Sequence, residues 1–196
     1  MQAARGASLS PSDPADTDHR PARSSRRLVL AFAAVAVVAW VLDQVSKHLA
    51  VAKLTNHSPV HVVGDLLQLT LTRNPGAAFS TGTGFTQVFS VVAVIATLVI
   101  VWFGLRAGTT LWAIALGLLL AGVTGNLTDR LFRSPGPLRG HVVDFLMLPH
   151  WPVFNVADVC INIAAVVIVI QALRGVRIDG ARTPQRVRDS DPQGRG

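Results

Sequence analysis

The stretch LWAIALGLLLAGVTGNLTDRLF, residues 111–132, decides the fold. It opens with a long apolar run and closes on Asn126, Asp129 and Arg130. A helix crosses the hydrocarbon core of a bilayer in about 20 residues, at about 1.5 Å of rise each, so the run is long enough to span. Gly117, Ala121 and Gly125 form a ridge of small residues along it, which lets another helix approach closely. Asn126 and Asp129 are three apart and share a face. The stretch predicts a membrane-spanning helix, packed along one ridge and polar at its far end.

Three more apolar spans lie on either side, at about residues 28–50, 85–105 and 152–173. The expected fold class is an all-α integral membrane protein with four transmembrane helices, its body running from residue 28 to residue 173. Composition agrees. Of the 196 residues, 50% are hydrophobic and only 15% charged, where a soluble domain carries about 25%. Mean hydropathy is +0.44. The net charge of +7 does not point to nucleic acid, because eleven of the eighteen basic residues lie before residue 28 or after residue 173. Basic residues flanking apolar spans read as anchors beside an anionic leaflet of membrane lipid. Cys160 is the sole cysteine, so an internal disulfide and a cysteine-cluster metal site are excluded.

Residues 1–27 and 174–196 are rich in Arg, Asp, Ser and Pro and are expected to be disordered tails. Ser25, Arg26 and Arg27 before the first span also resemble a twin-arginine export signal, with Ala50-Val51-Ala52 as its cleavage site. Asp43 and Lys47 interrupt the run before that site and argue for a retained helix. Four spans put both tails on one side. Counting Lys and Arg near the spans gives ten on that side against six on the other, which predicts cytoplasmic tails. The loop at 51–84 then lies outside. Its Leu-Gln-Leu-Thr-Leu-Thr at 67–72 alternates as a β-strand does, and Gly64-Asp65 before it reads as a hairpin turn.

The sequence has no Glu, and of its eleven Asp only Asp43, Asp65, Asp129, Asp144 and Asp158 lie in the apolar body. Ionisable groups in membrane spans are costly and mark function by default. Given the predicted orientation, Asp43, Asn126, Asp129, Asp144, Asn155 and Asp158 all meet at the outer membrane boundary. Asn155, Asp158 and Asn162 make a polar stripe on the fourth helix. Two carboxylates in one partly wet pocket can share a proton, one taking a proton from water while the other donates. That chemistry needs no metal and no Ser, Cys or His nucleophile.

The same residues allow plainer roles. Asp129 and Arg130 read equally as an ion pair ending a helix. Asp43 and Lys47, four apart, read as a surface pair, and Lys47 alone as a side chain snorkelling to the interface. Asn74-Pro75-Gly76 reads as a turn, Asn162 as a bond to a neighbouring helix, and Trp40, Trp102, Trp112 and Trp151 as interfacial anchors. Two other functions use the same aspartates. A proton-coupled transporter would favour midplane sites and repeated halves, and no internal repeat is present. A lipid transferase holding Mg²⁺ would favour carboxylates at tight helical spacing, and none of the five body aspartates lies within four residues of another.

Five stretches occur in one order: Asp43-Gln44-Val45-Ser46-Lys47; Asn74-Pro75-Gly76-Ala77-Ala78-Phe79-Ser80; Gly125-Asn126-Leu127-Thr128-Asp129-Arg130; Val142-Val143-Asp144-Phe145; and Phe154-Asn155-Val156-Ala157-Asp158. With these, residues 28–173 resemble the lipoprotein signal peptidase (signal peptidase II) family. The resemblance implies a membrane aspartic endopeptidase with Asp144 and Asp158 as its catalytic pair. It implies supporting and substrate-binding roles for Asp43, Asn74, Asn126, Asp129, Arg130 and Asn155. It implies a small extracytoplasmic β-sheet lying on the membrane and residence in the cytoplasmic membrane, and no metal or cofactor is expected. Its implied substrates are prolipoproteins, cut just before a diacylglyceryl-modified cysteine.

Overall fold

A computed structural model describes residues 25–76 and 85–182 of the chain. Most of the two tails expected to be disordered, and Ala77 to Ser80 of the second motif, lie outside the described residues. Four helices carry the fold: α1 (Arg26–Leu54), α2 (Thr86–Gly104), α3 (Thr110–Phe132) and α4 (Val156–Leu173). Each is long and apolar enough to span a bilayer, and the chain is a multi-pass membrane protein. Three short strands, β1 (Val60–Val63), β2 (Leu67–Asn74) and β3 (Val142–Met147), form one antiparallel sheet in that order.

Side-chain caps set three of the helix starts. Ser25 accepts from the Leu28 amide, Thr109 from the Trp112 amide and Asn155 from the Asp158 amide, each satisfying a donor that the first turn leaves open. The α4 cap corrects the expected span of 152–173. Residues 152–155 precede the helix, and Phe154 pairs with Leu146 across an isolated bridge, donating to its carbonyl at 2.9 Å. This extended link ties the start of α4 to β3.

Helix α3 is the axis of the bundle, and α1, α2 and α4 all pack on it. Its small residues make this possible. A Cβ on Gly125 would sit 2.6 Å from the Asp43 carboxylate on α1, and one on Gly122 would sit 2.5 Å from the Ala157 carbonyl on α4. The predicted ridge therefore serves α1, and Gly122 opens a second one toward α4. The outward faces stay apolar, with Val37, Leu42, Val91, Leu98, Val166 and Val169 exposed, as helices facing lipid require.

The sheet covers one end of the bundle. Val143 and Phe145 of β3 pack with Ala50 and Leu54 of α1, and strand alternation turns Asp144 to the other face. The alternating stretch at 67–72 lies within β2, and Gly64 turns at φ +49°. The third strand comes from the apolar patch around Asp144. At the opposite end, residues 174–182 correct the expectation of a disordered tail, because they fold back onto the α2–α3 turn. Gly108 donates to the Ile178 carbonyl at 2.7 Å and the Trp112 indole to the Val176 carbonyl at 3.2 Å.

Gly122→Leu overpacks the α3–α4 contact, a change that costs about 1–3 kcal/mol. Thermal unfolding in detergent should show a lowered midpoint for this variant. Leu98→Ala, on the exposed face of α2, should leave the midpoint where it is.

Candidate active site

Asp158 stands in the first turn of α4, where a carboxylate favours the open amides and the positive end of the helix dipole. It closes a reciprocal box with the cap. The Asp158 amide donates to Asn155 Oδ1 and the Asn155 amide donates to Asp158 Oδ2, both at 3.1 Å. Asn155 is thus fixed by the helix it starts, and its Nδ2 is left to point across the site. It donates to Asp144 Oδ1 at 2.6 Å and to Asn126 Oδ1 at 3.1 Å. Asn126, from α3, returns a bond from its Nδ2 to Asp158 Oδ1 at 2.9 Å. Asn74, at the end of β2, donates to the second oxygen of Asp144 at 3.1 Å. The two aspartates, one on a strand and one on a helix, are joined through asparagine amides.

A cavity of about 490 Å³ opens on this network, lined by both Asp144 and Asp158. Asn74, Asn126 and Arg130 share its wall, with Trp151 to Phe154, Val159 and Ile163 supplying the apolar part. Arg130 reaches the Gly76 carbonyl through Nη2 at 3.0 Å, and its buried Nε has no hydrogen-bond partner among the described residues. Asn74 Oδ1 accepts from the Gly76 amide, so the predicted turn is present and also presents Asn74 to Asp144. Asn162, expected to bond a neighbouring helix, instead donates to the Asp158 carbonyl of its own helix and lines the cavity.

Asp43 and Asp129 do not line that cavity. They lie behind it with Lys47, which corrects the reading of Lys47 as a snorkelling side chain. Lys47 is 0% exposed. Its ammonium meets Asp43 Oδ2 at 2.9 Å, Asp129 Oδ2 at 2.9 Å and Asn126 Oδ1 at 3.0 Å. Asp43 also accepts from the Ala157 amide, and Asp129 from the Val143 amide and from Arg133. Asp129 is thus committed to Lys47 and Arg133, while Arg130 turns to the cavity. Gln44, bonded to Asp43 and to the Gly125 carbonyl, went unread in the sequence, as did Arg133. Gln44 lies inside the first motif and Arg133 four residues beyond Asp129, and those positions were the available signal. Trp40 and Trp112, expected as interfacial anchors, donate from their indoles to Thr128 and the Val176 carbonyl.

Burial pushes the Asp144 carboxyl up to about 6 from an ordinary 3.8, and the nearby Asp158 charge adds to the rise. Hydrogen bonds from Asn155 and Asn74 and the Lys47 charge oppose it. No group of three or more His, Cys or Asp side chains suited to a metal is found among the described residues. The arrangement puts two carboxyls on the wall of one cavity, the setting for general acid–base chemistry.

Comparison with known proteins identifies the family. The family model for signal peptidase (SPase) II matches residues 35–174. The lipoprotein signal peptidase of Mycolicibacterium smegmatis is 49% identical over 174 residues, covering 88% of this chain and 73% of that protein. That of Streptomyces coelicolor is 48% identical, covering 81% and 77%. A bacterial membrane enzyme solved in meso at 2.3 Å superposes with a TM-score of 0.67 at 26% identity, over 85% of this chain and all of that one.

Infrared titration of the Asp144 carboxyl stretch should give a midpoint near 6. Asp158→Asn removes the like charge and should lower it. Asn155→Ala removes a bond to the ionised form and should raise it. The latter variant also loses the α4 cap, typically about 1 kcal/mol, and should unfold at lower temperature.

Proposed function

The chain belongs to the signal peptidase II family and is a membrane peptidase, and we propose that it is an aspartic endopeptidase of prolipoprotein maturation. It removes signal peptides by cutting just before a cysteine that carries diacylglycerol. The observation that carries this reading is a cavity at the sheet-bearing end of the spans, with Asp144 and Asp158 both on its wall. The count of basic residues puts both tails in the cytoplasm and that end at the outer boundary of the cytoplasmic membrane. A lipid-anchored cysteine enters there without leaving the bilayer, and the apolar wall of Val159 and Ile163 lies toward the acyl chains.

The pair works with one shared proton. The ionised carboxylate takes a proton from water as the water oxygen attacks the scissile carbonyl carbon. The protonated partner gives its proton to the carbonyl oxygen, producing a neutral tetrahedral diol. A proton then passes to the amide nitrogen as the carbon–nitrogen bond breaks. The products are a new carboxyl on the signal peptide and a free amine on the cysteine, and the pair is left again with one proton. Asn126 and Asn155 hold the carboxyls in place throughout. Arg130 presents donors toward the substrate backbone. Because Asp144 is raised to about 6, the shared proton is retained below that pH and lost above it.

The test is cleavage of a diacylglyceryl-modified prolipoprotein by purified enzyme, with and without chelator. Asp144→Asn and Asp158→Asn should each lose turnover by roughly a thousandfold or more, with chelator making no difference. The wild-type kcat should fall on the alkaline side of a bell-shaped pH profile. Retained turnover in either variant sinks the dyad, and a chelator effect points to a metal enzyme. An intact substrate after incubation with wild type overturns the peptidase assignment to this substrate.

A further inference from the structure

Lys47 does not line the cavity, yet one of its three contacts, Asn126, carries hydrogen bonds that reach both aspartates. An ammonium has three donors. Here all three are committed, to Asp43, Asp129 and Asn126. Fully buried and paired with two carboxylates, Lys47 has no donor left for substrate.

Its third bond has the further consequence. Asn126 Oδ1 accepts from Lys47 Nζ at 3.0 Å and from Asn155 Nδ2 at 3.1 Å. Those two bonds use both lone pairs of the oxygen. Asn126 must therefore turn its amide nitrogen to Asp158, where it donates at 2.9 Å. The two ends of an asparagine amide have nearly the same shape, so shape does not choose between them. A flipped Asn126 would aim its carbonyl oxygen at the Asp158 carboxylate and its amide hydrogens at the Lys47 ammonium. Both contacts would be repulsive.

We propose that Lys47 is a positioning residue for catalysis, fixing through Asn126 which edge of each aspartate is hydrogen-bonded and which is left to water and substrate. The chain of control runs from Lys47 to Asn126 Oδ1, from Asn126 Nδ2 to Asp158, and through Asn155 Nδ2 to Asp144. The proposal deepens the aspartic-peptidase reading and rests on it.

The lysine also supplies the positive charge behind the pair. The groups facing Asp144 are Asp158 from α4, Lys47 from α1, Arg130 from α3 and the neutral Asn74 and Asn155. Removing the Lys47 charge strengthens the hold of Asp144 on its proton, so the proton is kept to higher pH. A purely structural lysine would change stability and the amount of folded enzyme without lowering kcat per folded enzyme.

The experiment compares wild type with Lys47→Met, which keeps the length of the side chain and removes its charge and donors. A second variant, Asp43→Asn with Lys47→Met, removes one charge of each sign, so no buried carboxylate is left uncompensated. Each is purified, its folding checked by thermal unfolding, and its cleavage of a diacylglyceryl-modified prolipoprotein measured across pH. In the folded Lys47→Met enzyme, kcat should fall roughly tenfold to a hundredfold, the usual effect of losing a group that orients a reacting one. KM should stay within about twofold, because the cavity wall is unchanged. The alkaline limb of kcat should move to higher pH, and in the double variant it should move in the same direction by less.

Unchanged kcat and an unmoved limb in folded Lys47→Met would overturn the proposal. So would a lower kcat that tracks only the folded fraction, or failure of both variants to fold, since each makes the lysine structural alone. If Lys47→Met fails to fold and the double variant folds, the double variant decides by the same two readouts. Cleavage by wild type and its loss in Asp144→Asn are read in the same series, so a failure of the peptidase assignment is told apart from a failure of Lys47 to position the pair.

Discussion

A buried ammonium between two buried carboxylates is the constraint on which the site depends. Charges removed from water are tolerated where each has partners that replace its hydration. Lys47 has three such partners, and each belongs to a different task. Asp43, a turn earlier on α1, accepts from the Ala157 amide and so holds the start of α4. Asp129 on α3 accepts from the Val143 amide and so holds β3. Asn126 carries the hydrogen bonds to the aspartates. One cation therefore fixes the relative placement of α1, α3, α4 and the strand that carries Asp144.

That cluster requires close helices. The carboxylate of Asp43 occupies the space where Gly125 lacks a side chain, and the Ala157 carbonyl occupies the space above Gly122. Between lipid-exposed helices no hydrophobic gain drives association, so close packing and buried polar bonds carry more of the specificity. In this chain the two act at the same level of the bundle. The small residues of α3 bring α1 and α4 near enough for Asp43 to reach the Ala157 amide, and that bond keeps them near.

The four spans were legible because about 20 apolar residues in a row have few other uses. The location of the site was legible too. Asp43, Asp129, Asp144 and Asp158 fell at one level once the spans were placed, and the structure brings all four to the sheet-bearing end. The division among them was not legible. Helical spacing put Asn126 and Asp129 on one face, and it is the packing of α1 and β3 that sends Asp129 behind the cavity while Asn126 lines it. Lys47 was misread for a related reason. A lysine near a helix end usually extends to the interface, and only the positions of Asp43 and Asp129 relative to it reveal a buried cation. The start of α4 was placed early because Pro152 to Phe154 continue the apolar run. Their pairing with β3 depends on a contact that no local pattern encodes.

The placement of the two aspartates on different kinds of element has a mechanical logic. Asp158 belongs to a helix whose first turn is closed by Asn155, so its backbone and its Oδ2 are set by a reciprocal cap. Asp144 belongs to a strand whose neighbours Val143 and Phe145 are buried against α1, so its side chain is aimed by alternation. Neither element by itself sets the relation between the two carboxyls. Asn155 does, because it caps the helix with one end of its amide and reaches Asp144 with the other. The residue that starts α4 is thus the one that joins the pair. Phe154 beside it bonds Leu146 on the same strand as Asp144. Sliding the strand relative to the helix would break the Phe154 bridge and the Asn155 bond together, so the separation of the two carboxyls is maintained by backbone and side chain at once.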